Sequence, residues 1–120
     1  MKNKALEEII YWLPEFIDPD KNKDQNFTIQ INANGEGGGE WGIVIVDGKC
    51  EILEGTLNHS DFAITADAQD MLKMIYGELD PFKAYLRGKI KLKGKINQAL
   101  KLGDLLRIDE EMLKRKLHGG

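Results

Sequence analysis

Apolar residues recur with two different periods along this chain. Near the start the period is helical, because apolar residues recur every three or four positions as far as Pro14. This pattern predicts an amphipathic first helix that ends near the proline. The apolar residues of the stripe are Ala5, Leu6, Ile9, Ile10 and Leu13.

The second period is two residues, and it predicts strands in the middle of the chain. Residues 27–33 and 62–66 alternate apolar residues with polar or small ones, as half-buried strands do. Residues 41–46 are apolar at nearly every position, which predicts a strand covered on both faces. Asp47-Gly48 favours a tight hairpin turn, so the following strand should pair back antiparallel. A meander is the simplest sheet that fits this order.

Helix signals dominate the second half. Asp67 and Asp80 are predicted N-caps, Pro81 suits the first helical position, and Gly77 and Gly88 are placed to end helices. Together with the first helix, these signals predict about five helices. Those of the second half cover residues 68–76, 81–87 and 96–106, with a last one from Asp109.

Lysine occupies every second position of residues 89–95, between Ile90, Leu92 and Gly94. Nucleic-acid binding through a sheet would require aromatic residues interleaved with the basic ones, and this stretch has none. A fifth strand at the sheet border explains the pattern better, since charged side chains discourage edge-to-edge pairing.

Composition and charge narrow the class of protein. A chain of 120 residues with 42% hydrophobic and 31% charged residues predicts one domain over residues 1–120. Its 17 basic and 20 acidic residues give a net charge of −3, which disfavours nucleic acid as a partner. Cys50 is the only cysteine, which excludes an internal disulfide and agrees with a reducing compartment. With no signal-peptide or membrane-span pattern, we expect a cytoplasmic protein.

Candidate chemistry is sparse. The glycine cluster at residues 35–39 leads into a strand rather than a helix, so a hairpin connection is favoured over a phosphate loop. His59, Ser60 and Asp61 have the residue types of a hydrolytic triad, but neighbours in an extended segment point to alternate sides. We expect no metal site, no cofactor and no enzymatic activity.

The order of the motifs is similar to that of a known family. Residues 5–107 resemble the lipid-transfer domain of the sterol carrier protein type 2 family. The resemblance rests on Trp41 opening a strand, Asp47-Gly48, Phe62-Ala63-Ile64-Thr65, Tyr76-Gly77, Leu79-Asp80-Pro81, the run from Leu86 to Gly94 and Leu100-Lys101-Leu102.

The resemblance implies an α/β (α+β) fold in which a five-stranded, mainly antiparallel sheet and its helices enclose an apolar tunnel. Its expected ligands are fatty acids, fatty acyl-CoA or sterol-like lipids, which the protein binds and transfers. Transient contact with a membrane surface is a further expectation, through the basic residues Lys114, Arg115 and Lys116. The residues expected to line the tunnel are Trp41, Ile43, Phe62, Ile64, Met71, Met74, Ile75, Tyr85, Leu86, Leu100 and Leu106.

An alternative function stays open at this point. The same apolar groove would suit an accessory or interaction module that receives a partner helix, or presents a hydrophobic intermediate to a separate enzyme. Loss of co-purification with such an enzyme on Leu106→Asp would favour this alternative. The sequence does not give the oligomeric state.

Overall fold

The computed structural model describes residues 5–94 and 110–119, with the backbone alone described for residues 110, 112, 113 and 119. These residues form five strands and four helices. The helix predicted over residues 96–106 lies outside the described residues. The elements in chain order are α1 (Leu6–Phe16), β1 (Phe27–Asn34), β2 (Gly39–Val46), β3 (Lys49–Glu54), β4 (Phe62–Asp67), α2 (Ala68–Ile75), α3 (Pro81–Leu86), β5 (Ile90–Gly94) and α4 (Glu110–Gly119).

The five strands form one sheet in the order β3-β2-β1-β4-β5. Neighbouring strands pair antiparallel except β1 and β4, which run parallel. The prediction of a five-stranded, mainly antiparallel sheet is therefore confirmed, but the prediction of a meander is wrong. After β3 at one edge, the chain crosses back and adds β4 beside β1. Period-two alternation identifies the buried face of a strand but not its neighbour, so it could not reveal this crossover.

Helices α1, α2 and α3 pack on one face of the sheet. The buried core there joins Leu6 and Ile10 of α1, Met71 of α2 and Ala84 of α3 to inward-facing strand residues such as Trp41. A second cluster lies under the end of α1, around Ile17, Phe27, Ile29, Ile43, Ile45 and Phe62. Both clusters contact Ile31, Ile52, Ile64 and Leu92, so the interior between sheet and helices is continuous.

Helix α1 extends beyond its predicted end. It contains Pro14 and ends at Phe16, although a proline inside a helix removes one backbone hydrogen bond. Phe16 and Ile17 are both buried. Burial of these two side chains is the reason that the helix continues, because tertiary packing routinely outweighs a local helix-breaking signal.

The predicted caps and turns are present. The Asp67 carboxylate accepts a hydrogen bond from the Gln69 backbone N–H at 2.8 Å, and Asp80 accepts one from the Phe82 backbone N–H at the same distance. Asp47 and Gly48 have φ values of 51° and 80°, as a two-residue hairpin turn of type I′ requires. Local sequence chemistry therefore determines where these elements begin and end.

Strand β2 is not covered on both faces, contrary to its apolar sequence. Val46 is 53% exposed and Val44 is half-buried. The outward face is closely covered at Gly42, where a Cβ atom would lie 2.5 Å from Cγ of Leu57. The loop after β3 thus covers part of the sheet face opposite helices α1, α2 and α3.

Strand β5 forms a border of the sheet, as the lysine pattern predicted. Ile90 is buried and Leu92 is half-buried, while Lys91 and Lys93 are exposed. The glycine cluster connects β1 to β2, which confirms the hairpin interpretation.

Candidate ligand pocket

The floor of a pocket is formed by three isoleucines on the helix-covered face of the sheet. Ile31 of β1 and Ile64 of β4 are register partners in the parallel pairing. Ile43 of β2 pairs with Ile29, two residues before Ile31. Side chains two positions apart on a strand point to the same face, so all three isoleucines point toward the helices.

Helices α1 and α2 form the walls and roof. Their residues recur at helical spacing, which places one apolar stripe of each helix over the sheet. The cavity between them has a volume of about 280 Å³. This lies just below the ~300 to 1,000 Å³ usual for ligand pockets. Its lining residues are Leu6, Ile9, Ile10, Leu13, Ile31, Ile43, Ile64, Met71, Met74 and Ile75.

Every lining residue is apolar. No lining side chain can donate or accept a strong hydrogen bond, so the pocket has no means to orient a polar group. What it offers is removal of apolar surface from water, which contributes ~25 cal/mol per Å². The two methionines add unbranched, polarizable side chains that adapt to irregular shapes. Such a pocket selects for apolar character and size.

The structure brings five of the predicted ligand-binding residues to the pocket. They are Ile43, Ile64, Met71, Met74 and Ile75. Trp41 and Phe62 are buried in the two core clusters and are not part of the lining. Tyr85 and Leu86 lie on the exposed surface of α3. Leu100 and Leu106 lie outside the described residues.

Half of the lining was missed by the sequence prediction. Four of the missed residues belong to α1, where the sequence predicted an amphipathic helix but no contact with a ligand. Ile31 was likewise read as inward-facing in β1. The available signal was the apolar stripe of α1 itself, because an amphipathic helix buries its apolar face against another element of the fold. The missed residues are Leu6, Ile9, Ile10, Leu13 and Ile31.

Helix α4 contacts both walls at one end of the pocket. Lys116 Nζ lies 2.7 Å from a carboxylate oxygen of Glu15 and 5.0 Å from the ring centroid of Trp12. The His118 ring meets the Tyr76 ring edge-on, with centroids 5.4 Å apart. Trp12 precedes the lining residue Leu13, and Tyr76 follows the lining residue Ile75. The C-terminal helix therefore joins α1 to the end of α2 beside the pocket.

Reactive groups in the described residues lie away from the pocket. Burial raises the pKa of the Cys50 thiol from 9.0 to about 11, which makes its thiolate even rarer at neutral pH than that of an exposed cysteine. His59 Nε2 is 4.0 Å from the Asp61 carboxylate, and the His59 side chain is largely exposed. Within residues 5–94 and 110–119, no group of three or more histidine, cysteine or acidic residues is arranged to hold a metal ion. In the same residues, no helix has the length and apolar character needed to cross a bilayer.

Comparison with known families decides what kind of domain this is. The sequence profile of the SCP-2 sterol transfer family matches residues 13–107. The chain belongs to this family. The match begins at Leu13, near the end of α1, and reaches beyond the last strand of the sheet. It therefore includes the three isoleucines of the pocket floor and the α2 wall, but only Leu13 of the α1 wall.

Individual proteins agree with this membership. Hydroxysteroid dehydrogenase-like protein 2 from Xenopus tropicalis is 28% identical over 105 residues, which are 87% of this chain and 25% of that protein. The chain thus spans about a quarter of the length of that relative.

Two solved structures share the SCP-2 fold with this chain. The crystal structure of Sterol Carrier Protein 2 Like 2 from Aedes aegypti superposes with a TM-score of 0.67 at 23% identity, covering 85% of this chain and 96% of that one. The solution structure of the palmitated protein from the same species gives a TM-score of 0.65 at 22% identity, covering 87% and 96%. At these identities the likeness establishes the α/β fold.

Proposed function

We propose that this SCP-2 family domain binds and transfers hydrophobic molecules, and that the bound alkyl or sterol-like part lies between the sheet and helices α1 and α2. The observation that carries the proposal is the pocket of about 280 Å³ with an entirely apolar lining. Fatty acids, fatty acyl-CoA and sterol-like lipids are the ligand class. A tunnel longer than the described pocket is part of the same proposal.

The physical basis is desolvation. A single-chain lipid exposes a large apolar area to water, and its transfer to an apolar pocket gains free energy in proportion to that area. A polar head has no partner among the ten lining residues, so it would stay outside. The expected ligand therefore has one apolar part that enters and one polar end that remains in solvent, and selectivity among chain lengths should be loose.

The proposal assigns no catalytic role to this chain. The lining offers no nucleophile, acid or base, and the palmitated relative is consistent with an alkyl chain as the bound group. We propose a cytoplasmic location, on the basis of the single unpaired Cys50.

Displacement of a fluorescent fatty acid tests the proposal. We expect saturable binding of about one ligand per chain and displacement by unlabelled palmitate. Met74→Trp would fill the pocket and lower affinity at least about tenfold, which corresponds to ~1.4 kcal/mol. Leu72→Trp is the matched control, because Leu72 is a half-buried residue of the same helix that does not line the pocket. Absence of saturable binding, or equal loss in both variants, would count against the proposal.

A second function is favoured by one observation. The segment that matches this chain makes up 25% of hydroxysteroid dehydrogenase-like protein 2. In that relative the segment is therefore part of a larger protein, which is named as dehydrogenase-like. An accessory module would present its hydrophobic cargo to a separate catalytic unit, or receive a partner helix in the pocket. Co-purification of a partner that Met74→Trp abolishes and Leu72→Trp preserves would distinguish this function from free lipid transfer.

A further inference from the structure

Helix α3 turns two large apolar side chains outward. Ala84 is 0% exposed and packs into the core, whereas Phe82 is 69% and Leu86 is 67% exposed. At about 100° per residue, both Phe82 and Leu86 project from the side of the helix roughly opposite Ala84. The two are four positions apart and therefore neighbours on that side. They form the outer ridge of the helix. Large exposed apolar groups that stand together mark an interaction site.

Positive charge lies along one flank of this ridge and at its C-terminal end. Lys83 of α3 and Arg87, the C-cap residue of this helix, are also four positions apart, and both are exposed. The backbone N–H of Lys89 donates to the Ala84 carbonyl at 2.9 Å, which holds this exposed lysine at the C-terminal end of the helix. Residues 81–94 contain five basic residues and no acidic one, although the whole chain has a net charge of −3. Positive charge is thus concentrated at the ridge.

The acidic residues nearest in sequence lie at the other end of the helix. Glu78 and Asp80 precede α3, and the Asp80 carboxylate accepts hydrogen bonds from the backbone N–H groups of Phe82 and Lys83. Asp80 therefore acts as the helix cap. Exposed Tyr85 adds an aromatic ring with a polar tip on the flank of the helix opposite Lys83. Such rings are favoured at membrane–water interfaces.

We propose that α3 docks this protein on the surface of an anionic lipid bilayer, with Phe82 and Leu86 inserted among the acyl chains and with Lys83, Arg87 and Lys89 at the headgroups. This surface is separate from the pocket residues, so the proposal does not depend on lipid binding in the pocket. It gives the protein an orientation at a membrane. The basic end faces the lipid and the remaining, more acidic surface faces solvent.

The size of the ridge favours a bilayer over a protein partner. A standard protein interface buries ~800 Å² on each side, whereas an aromatic side chain buries at most about 250 Å². Two apolar side chains with a basic rim fall well short of such an interface. They suit shallow insertion into an interface that also attracts cations.

Flotation with lipid vesicles tests the proposal. Vesicles of phosphatidylcholine alone should bind the protein weakly, and vesicles that also contain phosphatidylserine should bind it more strongly. Addition of about 1 M salt should weaken binding to the anionic vesicles, because the Debye length then falls to about 3 Å. The double variant Phe82→Ser/Leu86→Ser and the double variant Lys83→Glu/Arg87→Glu should each lower the partition coefficient at least about tenfold.

Two matched controls separate this surface from general effects. Val46→Ser/Leu53→Ser removes two other exposed apolar side chains, and Lys21→Glu/Lys23→Glu reverses two exposed charges in the loop before β1. Both controls should bind like the parent protein. A further measurement does not depend on loss of binding. The tryptophan introduced by Phe82→Trp should show a blue shift of its fluorescence emission when anionic vesicles are added, while the tryptophan introduced by Val46→Trp should not.

Three results would overturn the proposal. One is failure of the parent protein to bind anionic vesicles. Another is equal loss of binding in the α3 variants and the controls. The third is self-association in sedimentation velocity that the α3 variants abolish while vesicle binding persists, because the ridge would then be a contact between copies of this chain.

Discussion

Ile31 and Ile64 lie side by side as register partners in the only parallel pairing of the described sheet, and both line the pocket. The crossover that brings β4 next to β1 is therefore what builds the middle of the pocket floor. Both isoleucines are only half-buried, although each stands on an inner strand of the sheet. Incomplete packing at this point is the structural origin of the pocket.

The half-burial of Ile64 predicts a small cost for its truncation. Ile64→Ala should destabilise the protein less than Ile45→Ala, because Ile45 is fully buried in the packed cluster beside the pocket. Truncation of a packed isoleucine costs about 2–5 kcal/mol, part of which is the cavity that it creates. At Ile64 a cavity already exists, so we expect a loss near the bottom of that range or below it. Urea unfolding of both variants measures the difference, and equal losses would mean that the interior is filled.

Gln30 anchors the loop that covers the other face of the sheet. Its side chain is buried, accepts a hydrogen bond from the Leu57 backbone N–H at 2.8 Å and donates one to the Gly55 carbonyl at 3.2 Å. Gln30→Ala leaves these backbone groups without their partner, and we expect a loss of about 1–3 kcal/mol in the free energy of unfolding. Glu51→Ala, at an exposed outward position of β3, should change stability by less than about 0.5 kcal/mol. A Gln30→Ala variant as stable as this control would argue against the anchoring role.

Burial of Cys50 predicts slow chemical modification of its thiol and a stability that falls at high pH. Because the pKa of this thiol is raised from 9.0 to about 11, an aromatic disulfide reagent at pH 8 should modify the folded protein far more slowly than the urea-unfolded chain. Between pH 9 and 11 the unfolded chain has lost the proton that the folded chain retains, so stability contributed by Cys50 falls as the pH rises. Cys50→Ala should remove this part of the pH dependence. Equal reaction rates for folded and unfolded protein would show that the thiol is accessible.

Local signals in the sequence predicted more of the fold than of the pocket. Asp67, Asp80 and the Asp47-Gly48 turn act through groups a few residues away, so their patterns could be read directly. The pairing of Ile31 with Ile64 joins residues 33 positions apart, and no local pattern encodes it. Periodicity identified Ile31 and Ile10 as inward-facing, but an apolar stripe looks the same whether it meets another side chain or empty space. Only the three-dimensional arrangement separates the residues that fill the interior from those that border the pocket.

The most direct test of the central claim is the position of a bound alkyl chain. Isotope-filtered NMR on protein with ¹³C-labelled isoleucine methyl groups and unlabelled palmitate would report which isoleucines contact the ligand. We predict nuclear Overhauser effects from the alkyl protons to Ile31, Ile43 and Ile64, and none to Ile45, which lies in the packed cluster. Saturable binding without contacts to Ile31, Ile43 and Ile64, or no binding at all, would contradict the account.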